Sequence, residues 1–575
     1  MLEEYFTKEK EILSKLGEDF SNAHRHLNYQ KIANDPDVKC LLDGVALLTG
    51  VLKNKLDDDF PEIIEELIRL ILPHYLRPIP SLTIVAFEPK AFLKDTNTIN
   101  SKILLESQEI TLKPEKKIKC SFRTCYEVEI HPLILIDVKY EEPAGKAPVI
   151  KLKFEFKGHS LQSWDPTKVR LFFMGRSGKE YSEAADIYLT LRNYTKNIKV
   201  RNESGGKECN LELRPVGFDE DEIIINYPSN SFIAYRIIQE YFALPEKFLF
   251  LDIEGWNKWE EKGESSNFEI DVELKEKPHF FQNIKNINKE NIILYATPAT
   301  NIFSGDIRSI IIDQKKYEYP IEPEDSDSTQ LYFVEKITGL KSGQEYVTFD
   351  SFVKGSQNSP VYSITTKLKE SKRNKLQTYL SVNYPNNAEI KEDKLSIKAL
   401  CTNGSLPYKY LQDQGAISKT TKDIPNYASY KNITSPTQYL PPPLGKKGQW
   451  NLLSHLTLNY LSISNKNNLK QLLNVYIFGE NEKNRNRVNG ITDLEHEVID
   501  KLVDGIMLRG SKLTLKVNSE NFACQGDLYL FGCVMDYFFK AYASINSFFE
   551  LRVEDITNTD RYYSWDVNSG NRFLT

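Results

Sequence analysis

SFIAYRIIQEYFALPEKFLFLDI, Ser231 to Ile253, decides how the chain is read. Tyr235, Ile238, Tyr241 and Phe242 fall at i, i+3, i+6 and i+7, an apolar stripe of helical period. Ser231 stands where a cap is expected, its hydroxyl able to accept from a free amide of the first turn. Pro245 ends the helix, because the residue before a proline is pushed out of the α region. KFLFLDI then reads as a short buried strand. A counterpart stands near the C-terminus, LFGCVMDYFFKAYASINSFFELRV, Leu530 to Val553. Phe242, Ala243, Phe248, Leu251 and Ile253 align there with Tyr542, Ala543, Phe548, Leu551 and Val553.

Working outward, VRLFFMG predicts a strand, YSEAADIYLTLRN a helix, and IKVR and CNLELRPV two strands across Gly205-Gly206. With the Ser231 helix and KFLFLDI the order over 166–255 is βαββαβ, the split βαβ of ferredoxin-like domains. The order returns over 450–575: SHLTLNYL, NLKQLLNVYIF, DGIMLR, SKLTLKV, the Leu530 helix and SFFELRV. An internal duplication accounts for both units; chance recurrence of a common order is the alternative. The fold class expected is therefore α+β and multidomain, with N-terminal helices, antiparallel β domains and two βαββαβ units.

The rest divides by pattern. Region 1–80 is helical. Tyr5, Phe6, Ile12, Leu13, Leu16 and Phe20 mark a first amphipathic helix. A second opens at Asp35-Pro36, a good cap followed by a proline whose missing N–H costs nothing at the first helical position. Leu41, Val45, Leu48 and Leu52 form one of its stripes. Ile63, Ile64, Leu67 and Ile71 form another on a third helix, which ends before Pro73. Two such stripes bury each other and leave apolar area over, and that surplus marks these eight residues as an interface. LTIVAF, ILLE, EITLK, CSFRTCYEVEI and VIKLKFEFKG give a β domain over 81–165. IIIDQKKYEYPIE, LYFVEKI, EYVTF and KLSIKAL give a β-rich domain over 256–400. Residues 401–449, with PPPLGKKG, read as a linker or arm.

Composition limits the function classes. At 575 residues the chain should hold three to five domains, and 40% hydrophobic residues suffice for their cores. A net charge of −6 gives no electrostatic footprint for nucleic acid. Seven irregularly spaced cysteines suit free thiols in a reducing compartment. The start MLEEYFTKEKE is not a signal peptide, and no apolar run reaches the length of a membrane span. A soluble cytoplasmic chain is expected.

No chemistry-bearing motif stands out. There is no GxxxxGK[ST], no GxGxxG after a strand and no GxSxG. His496-Glu497 begins like a zinc-protease motif, but Asp500 stands where the second histidine belongs, so a solvated helix face is the better reading. His74, beside prolines, and His455, in a strand pattern, read as structural. Asp57-Asp58-Asp59 lacks the alternation and glycine of a Ca²⁺ loop and suits a helix N-terminus. Asp219, Glu220, Asp221 and Glu222 read as an acidic loop too polar to serve as a catalytic carboxylate pair. No catalytic residue, metal or cofactor is expected, and an assembly or binding role is favoured.

Several stretches together resemble one family, the TssF (VasA/ImpG) subunit of the type VI secretion baseplate. They include Asp35-Pro36-Asp37-Val38, Lys55-Leu56-Asp57-Asp58, Pro73-His74-Tyr75-Leu76 and Cys120-Ser121-Phe122-Arg123-Thr124. Gly217-Phe218, Tyr235-Arg236, Gln239-Glu240-Tyr241-Phe242 and Pro245 to Phe250 belong to the same set. So do Cys401-Thr402-Asn403, Leu458-Asn459-Tyr460-Leu461, Arg509-Gly510, Leu530-Phe531-Gly532 and Tyr542 to Phe548. Gly404 and Ser405 depart from the pattern, standing where relatives carry an arginine and an acidic residue. The resemblance implies a non-enzymatic wedge protein of a contractile, phage-tail-like injection system for protein secretion. It implies assembly with TssG, a second TssF copy, TssK and TssE around the VgrG hub, where the wedge nucleates and anchors the sheath. It also implies docking at the inner membrane through the secretion membrane complex, without membrane insertion. A hydrolase-like enzyme with a site assembled in space, and a scaffold protein outside secretion, are the alternatives.

Overall fold

The computed structural model describes residues 10, 43–48, 72, 74–443 and 464–569, except 115, 177–180, 229–230, 281–283, 314, 341–342, 344, 349–359, 370–374, 385–392, 504, 543–546, 559–560 and 566. The chain forms two units. One comprises 1–76 and 443–454, the other 77–442 and 455–575. In the first, residues 43–48 are helical, and Lys10 pairs with Asp43 at 2.7 Å. Ala46 of that segment is buried, and Val45, Leu47 and Leu48 are exposed.

The larger unit is α+β and mostly antiparallel. A five-stranded sheet has Leu82–Pro89 between Ala428–Asn432 and Ala296–Thr300. Its core includes Phe87, Leu105, Phe122 and Ile417. The tract expected as an arm, 401–449, supplies one edge of this sheet. The side chains of Thr434 and Thr437 accept from the amides of Ile84 and Leu82, fastening that edge strand in place.

An eight-stranded sheet comes next, built from Leu133–Glu141, Val149–Phe156, Val169–Phe173, Thr195–Asn202, Cys209–Pro215, Phe250–Glu254, Asn267–Leu274 and Ile292–Leu294. Trp164, Trp256, Trp259 and Phe268 cluster in the same region, with Trp164 and Trp256 5.1 Å apart. His131 lies against Trp164 at 5.6 Å. A third sheet spans Phe303–Gly305 to Asp393–Thr402 around Ile337, Leu380 and Leu395.

Among the described residues of this unit, five helices reach eight residues or more: α1 (Tyr181–Leu189), α2 (Ile233–Ala243), α3 (Lys466–Val475), α4 (Glu482–Asn489) and α5 (Gln525–Lys540). Almost every side chain of α1 and α5 is buried, as expected of helices enclosed on all sides.

The βαββαβ element order over 169–254 is present, but the sheet order is not that of a split βαβ. Phe250–Glu254 lies between Val169–Phe173 and Cys209–Pro215, and every pairing is antiparallel. The other edge of Val169–Phe173 is taken by Ile292–Leu294, so no place is left for the interleaved third strand.

The C-terminal segment is built differently. Ile491–Val503 and Ile506–Val517 form one long hairpin, whose turn holds Gly505 at φ +81°. The second strand then runs parallel to Phe548–Asp555, with α5 as the crossover that a parallel pair requires. DGIMLR and SKLTLKV are thus one strand, and the two segments are not copies of one topology. SHLTLNYL lies outside the described residues.

Ser231 does not cap α2. Phe232 occupies the cap position without a side-chain bond, one residue later than the sequence suggests. Pro245 behaves as expected, opening a 3₁₀ turn, Pro245–Phe248, directly after the helix.

Candidate functional site

The helices read as counterparts, α2 and α5, pack on each other, and α5 packs in addition on the strand Phe548–Asp555. An aromatic ladder marks the contact: Tyr241 against Phe531 at 6.1 Å, Tyr235 against Phe538 at 6.4 Å and Phe232 against Tyr542 at 4.9 Å. The hydroxyl of Tyr542 donates to that of Tyr235 at 3.0 Å. Tyr235 also stacks on Tyr476 at the end of α3, 5.4 Å away and within 12° of parallel. On its other side α5 meets α1. A Cβ at Gly526 would lie 2.1 Å from the backbone of Ala185, so only glycine admits this approach. The Gly526 amide donates to Asp186 at 2.8 Å across the same contact.

A charged pair sits inside this joint. The Arg487 guanidinium of α4 donates from Nε to Asp527 at 3.0 Å, and its second contact is 2.8 Å. Both side chains are nearly fully buried. Asp527 also accepts from the hydroxyls of Tyr181 and Tyr241 and from the amide of Ala523. Asn484 accepts from Arg487 at 2.7 Å and donates to the Phe242 carbonyl at 2.9 Å, tying α4 to the end of α2. Burial holds the Tyr181 and Tyr241 hydroxyls well above their usual pKa, so both stay protonated donors. Burial opposes the Arg487 charge, but Tyr241, Tyr181 and Asp527 outweigh it and hold its pKa above the usual value.

Two further polar joints surround it. Glu240 accepts from the amides of Ile224 and Ile225 and pairs with the buried Lys247. Glu222, expected in a solvated acidic loop, instead accepts from the amides of Gly217, Phe218 and Asp219, so it orders that turn. A last joint links the five-stranded sheet to the third sheet. Asn301 donates to the Ser121 carbonyl at 2.6 Å and accepts from Thr402 at 2.7 Å and from the Asn403 amide at 2.8 Å. Asn403 accepts from the Ser121 amide at 3.0 Å and donates to Ser328.

A cavity of about 140 Å³ opens beside α1 and α5, lined by Tyr188, Arg192, Cys533, Tyr537 and Trp565 among others. Burial pushes the Cys533 thiol up to about 12, leaving it without thiolate character at neutral pH. Among the described residues, no group of three His, Cys, Asp or Glu side chains is placed to hold a metal ion. No helix among them is long and apolar enough to cross a membrane. His496 and Glu497, read as a helix face, lie in the hairpin strand Ile491–Val503, with His496 3.1 Å from Ser511. His74 is buried. Asp57, Asp58, Asp59 and His455 lie outside the described residues.

Of the eight residues expected at an interface, Val45 and Leu48 are described, and they are 40% and 67% exposed. Leu41, Leu52, Ile63, Ile64, Leu67 and Ile71 lie outside the described residues, as does Asp35. A second exposed apolar set was not foreseen. Val498, Leu502 and Met507 crowd the end of the long hairpin at 55%, 66% and 68% exposure. The signal was present in VIDKLVDGIMLRG, an apolar stretch interrupted by the Asp-Gly of a two-residue hairpin turn.

Comparison with known proteins agrees along the whole length. Residues 1–572 match the family described as "Type VI secretion system, TssF". The type VI secretion system component TssF1 of Pseudomonas aeruginosa is 24% identical over 624 residues, covering 99% of this chain and 98% of that protein. Among solved structures, a chain of the type VI secretion system TssK-TssF-TssG baseplate subcomplex matches with a TM-score of 0.79 at 25% identity. The match covers 94% of this chain and 100% of that one. A chain of the baseplate complex from the type VI secretion system shares the fold at a TM-score of 0.58 and 20% identity, with both chains covered in full.

Proposed function

Because the chain belongs to the TssF family and is a component of the type VI secretion baseplate, we propose that it is a wedge protein that binds TssG and TssK directly. The observation that supports this most is the near-complete match to a chain of the TssK-TssF-TssG subcomplex. In the described interior, charged clusters join helices and sheets to one another, as a frame that carries partners needs.

In this reading the wedge also holds a second TssF copy, contacts TssE and surrounds the VgrG hub, where it nucleates and anchors the contractile sheath. The protein works in the cytoplasm and docks at the inner membrane through the secretion membrane complex. The N-terminal region, 1–80, is the assembly surface. Leu41, Val45, Leu48, Leu52, Ile63, Ile64, Leu67 and Ile71 supply its apolar stripes, and TssG and the second TssF copy cover them in a shared helical bundle. An obligate interface of this kind should exceed roughly 2,000 Å² in total.

The test is capture of TssG and TssK by the full chain and by a variant lacking residues 1–80, followed by mass measurement of the complexes. Loss of TssG from the truncated variant is expected. Undiminished capture of TssG would show that this partner binds elsewhere, and failure of the full chain to capture either protein would overturn the wedge reading.

A further inference from the structure

We propose that the cavity beside α1 and α5 is a binding site for a small planar monocarboxylate, an acid whose apolar body is no larger than one aromatic ring. The cavity volume of about 140 Å³ is close to what a single benzene ring occupies. The body would lie between aromatic walls that are already fixed. Phe218 stacks on Tyr537 at 4.4 Å, and Trp565 stacks on Tyr529 at 5.6 Å. A Cβ at Gly532 would stand 2.3 Å from the Trp565 ring, so only glycine lets that wall close in.

The polar groups of the cavity lack an acceptor, not a donor. Tyr188 is fully buried, and its hydroxyl has no hydrogen-bond partner among the described residues. Arg192 lies about one turn further along, carried by the π-helical turn Thr190–Tyr194, and its exposure marks the opening. Partial burial still opposes the guanidinium charge, and the groups that answer it are Tyr529, Tyr188, Cys533 and Tyr537, three phenols and a thiol. Burial keeps all four neutral. It holds Tyr529 and Tyr188 well above the usual phenol range and pushes Cys533 and Tyr537 up to about 12. Among the described residues no carboxylate pairs with Arg192. The acid among the described lining residues, Asp536, is held by Lys540 at 2.6 Å.

A surplus of donors calls for a ligand that only accepts. A carboxylate does so: its plane matches the guanidinium fork, and its remaining lone pairs are open to the Tyr188 hydroxyl. One uncompensated cation suits a monoanion, whereas a phosphate dianion would be left with a charge unanswered in a partly desolvated site. A neutral amide would bring further donors to a site that already has too many. Bound there, the ligand would tie the turn after α1 and the Phe218 turn to α5, so the concentration of a solute would bias the stability of that joint. The site stands independently of the wedge reading.

The test uses the full chain with benzoate as the probe, benzamide as its neutral isostere and inorganic phosphate as a competitor. Calorimetry should give a dissociation constant on the order of 1 mM for benzoate, as befits so small a ligand. At ten times that concentration, hydrogen exchange in 181–189 and 525–540 should slow by up to ~10-fold. Benzamide should bind at least ~10-fold more weakly, and Arg192→Gln should weaken benzoate by a similar factor, since a charge-assisted bond is lost in each case. Unchanged exchange of the unliganded variant checks that it folds, and the benzamide arm needs no variant. Benzoate that does not bind by ~20 mM, benzamide that binds as well, an unchanged constant in Arg192→Gln, or protection gained only outside the two helices would each overturn the site. Phosphate that displaces benzoate at equal concentration would overturn the assignment of a monocarboxylate.

Discussion

Replacing Asp527 by leucine should cost more than replacing Asp527 and Arg487 together. The carboxylate accepts from Arg487, Tyr181, Tyr241 and Ala523 where α4, α2 and α5 meet. Asp527→Leu alone strands a guanidinium that is 5% exposed, with Asn484 as its remaining hydrogen-bond acceptor. Removing one partner of a buried pair costs about 3–5 kcal/mol. In the double variant, Arg487→Met with Asp527→Leu, no charge is left buried. The remaining cost is two tyrosine hydroxyls and one amide without their acceptor, and the Asn484 carbonyl oxygen without its donor. The contact to Tyr241 is already long at 3.4 Å, so this sums to roughly 2 kcal/mol. The double variant should therefore be more stable than the single one by about 2 kcal/mol. The chain holds more than one domain, so a global melting midpoint would not isolate this joint. Hydrogen exchange of residues 233–243 and 525–540 reads it locally, and that difference corresponds to a ~30-fold change in protection. Equal exchange in the single and double variants would refute the expectation, because it would mean that Arg487 reaches water once Asp527 is gone.

Three other outcomes are expected. Gly526→Ala should separate α1 from α5 and cost at least ~1–3 kcal/mol, since the added methyl meets the Ala185 backbone rather than a movable side chain; unchanged exchange in 181–189 would show that the helices yield. His131 is held near a pKa of about 4, chiefly by burial and against a lesser opposing pull from its bond to the Lys168 carbonyl, so the unfolded chain takes up its proton first. Stability should fall as pH drops from about 6.5 toward 4, by roughly 3 kcal/mol in all, and His131→Gln should flatten that dependence in urea titrations. Leu48→Asp should leave the isolated chain's stability within about 0.5 kcal/mol, because Leu48 is 67% exposed, and yet abolish TssG capture; stable capture by this variant would move the interface off that stripe.

The sequence was most readable where one element decides its own form. The stripe of α2 is local, and Pro245 stops α2 whatever surrounds it. Strand existence was legible from alternation, but strand order was not. Val169–Phe173 takes Phe250–Glu254 and Ile292–Leu294 as neighbours, and nothing within its five residues encodes either choice. The hairpin strand Ile491–Val503 was missed because its charges occupy both faces of the exposed end, where no core imposes alternation. Glu222 was misread for a different reason: a carboxylate that accepts three amides looks, in sequence, like one that faces water.

Among the described residues, several motifs that carry the family resemblance fall on the joints. Ser121, Thr402 and Asn403 bind two sheets together. Glu240 and Lys247 pair across the end of α2 and its 3₁₀ turn, Phe218 stacks on Tyr537 at 4.4 Å, and Tyr542 reaches Tyr235. A buried, fully bonded polar group tolerates few replacements, because each leaves a partner without water or ligand. An exposed apolar face carries no such constraint within its own chain, since only a partner fixes it. A motif search therefore recognises the frame and is nearly blind to the surfaces through which the frame is used. Substitutions at the motif residues should accordingly act first on folding. Separating assembly from folding requires exposed positions such as Leu48, Leu502 and Met507, where the isolated chain has little to lose.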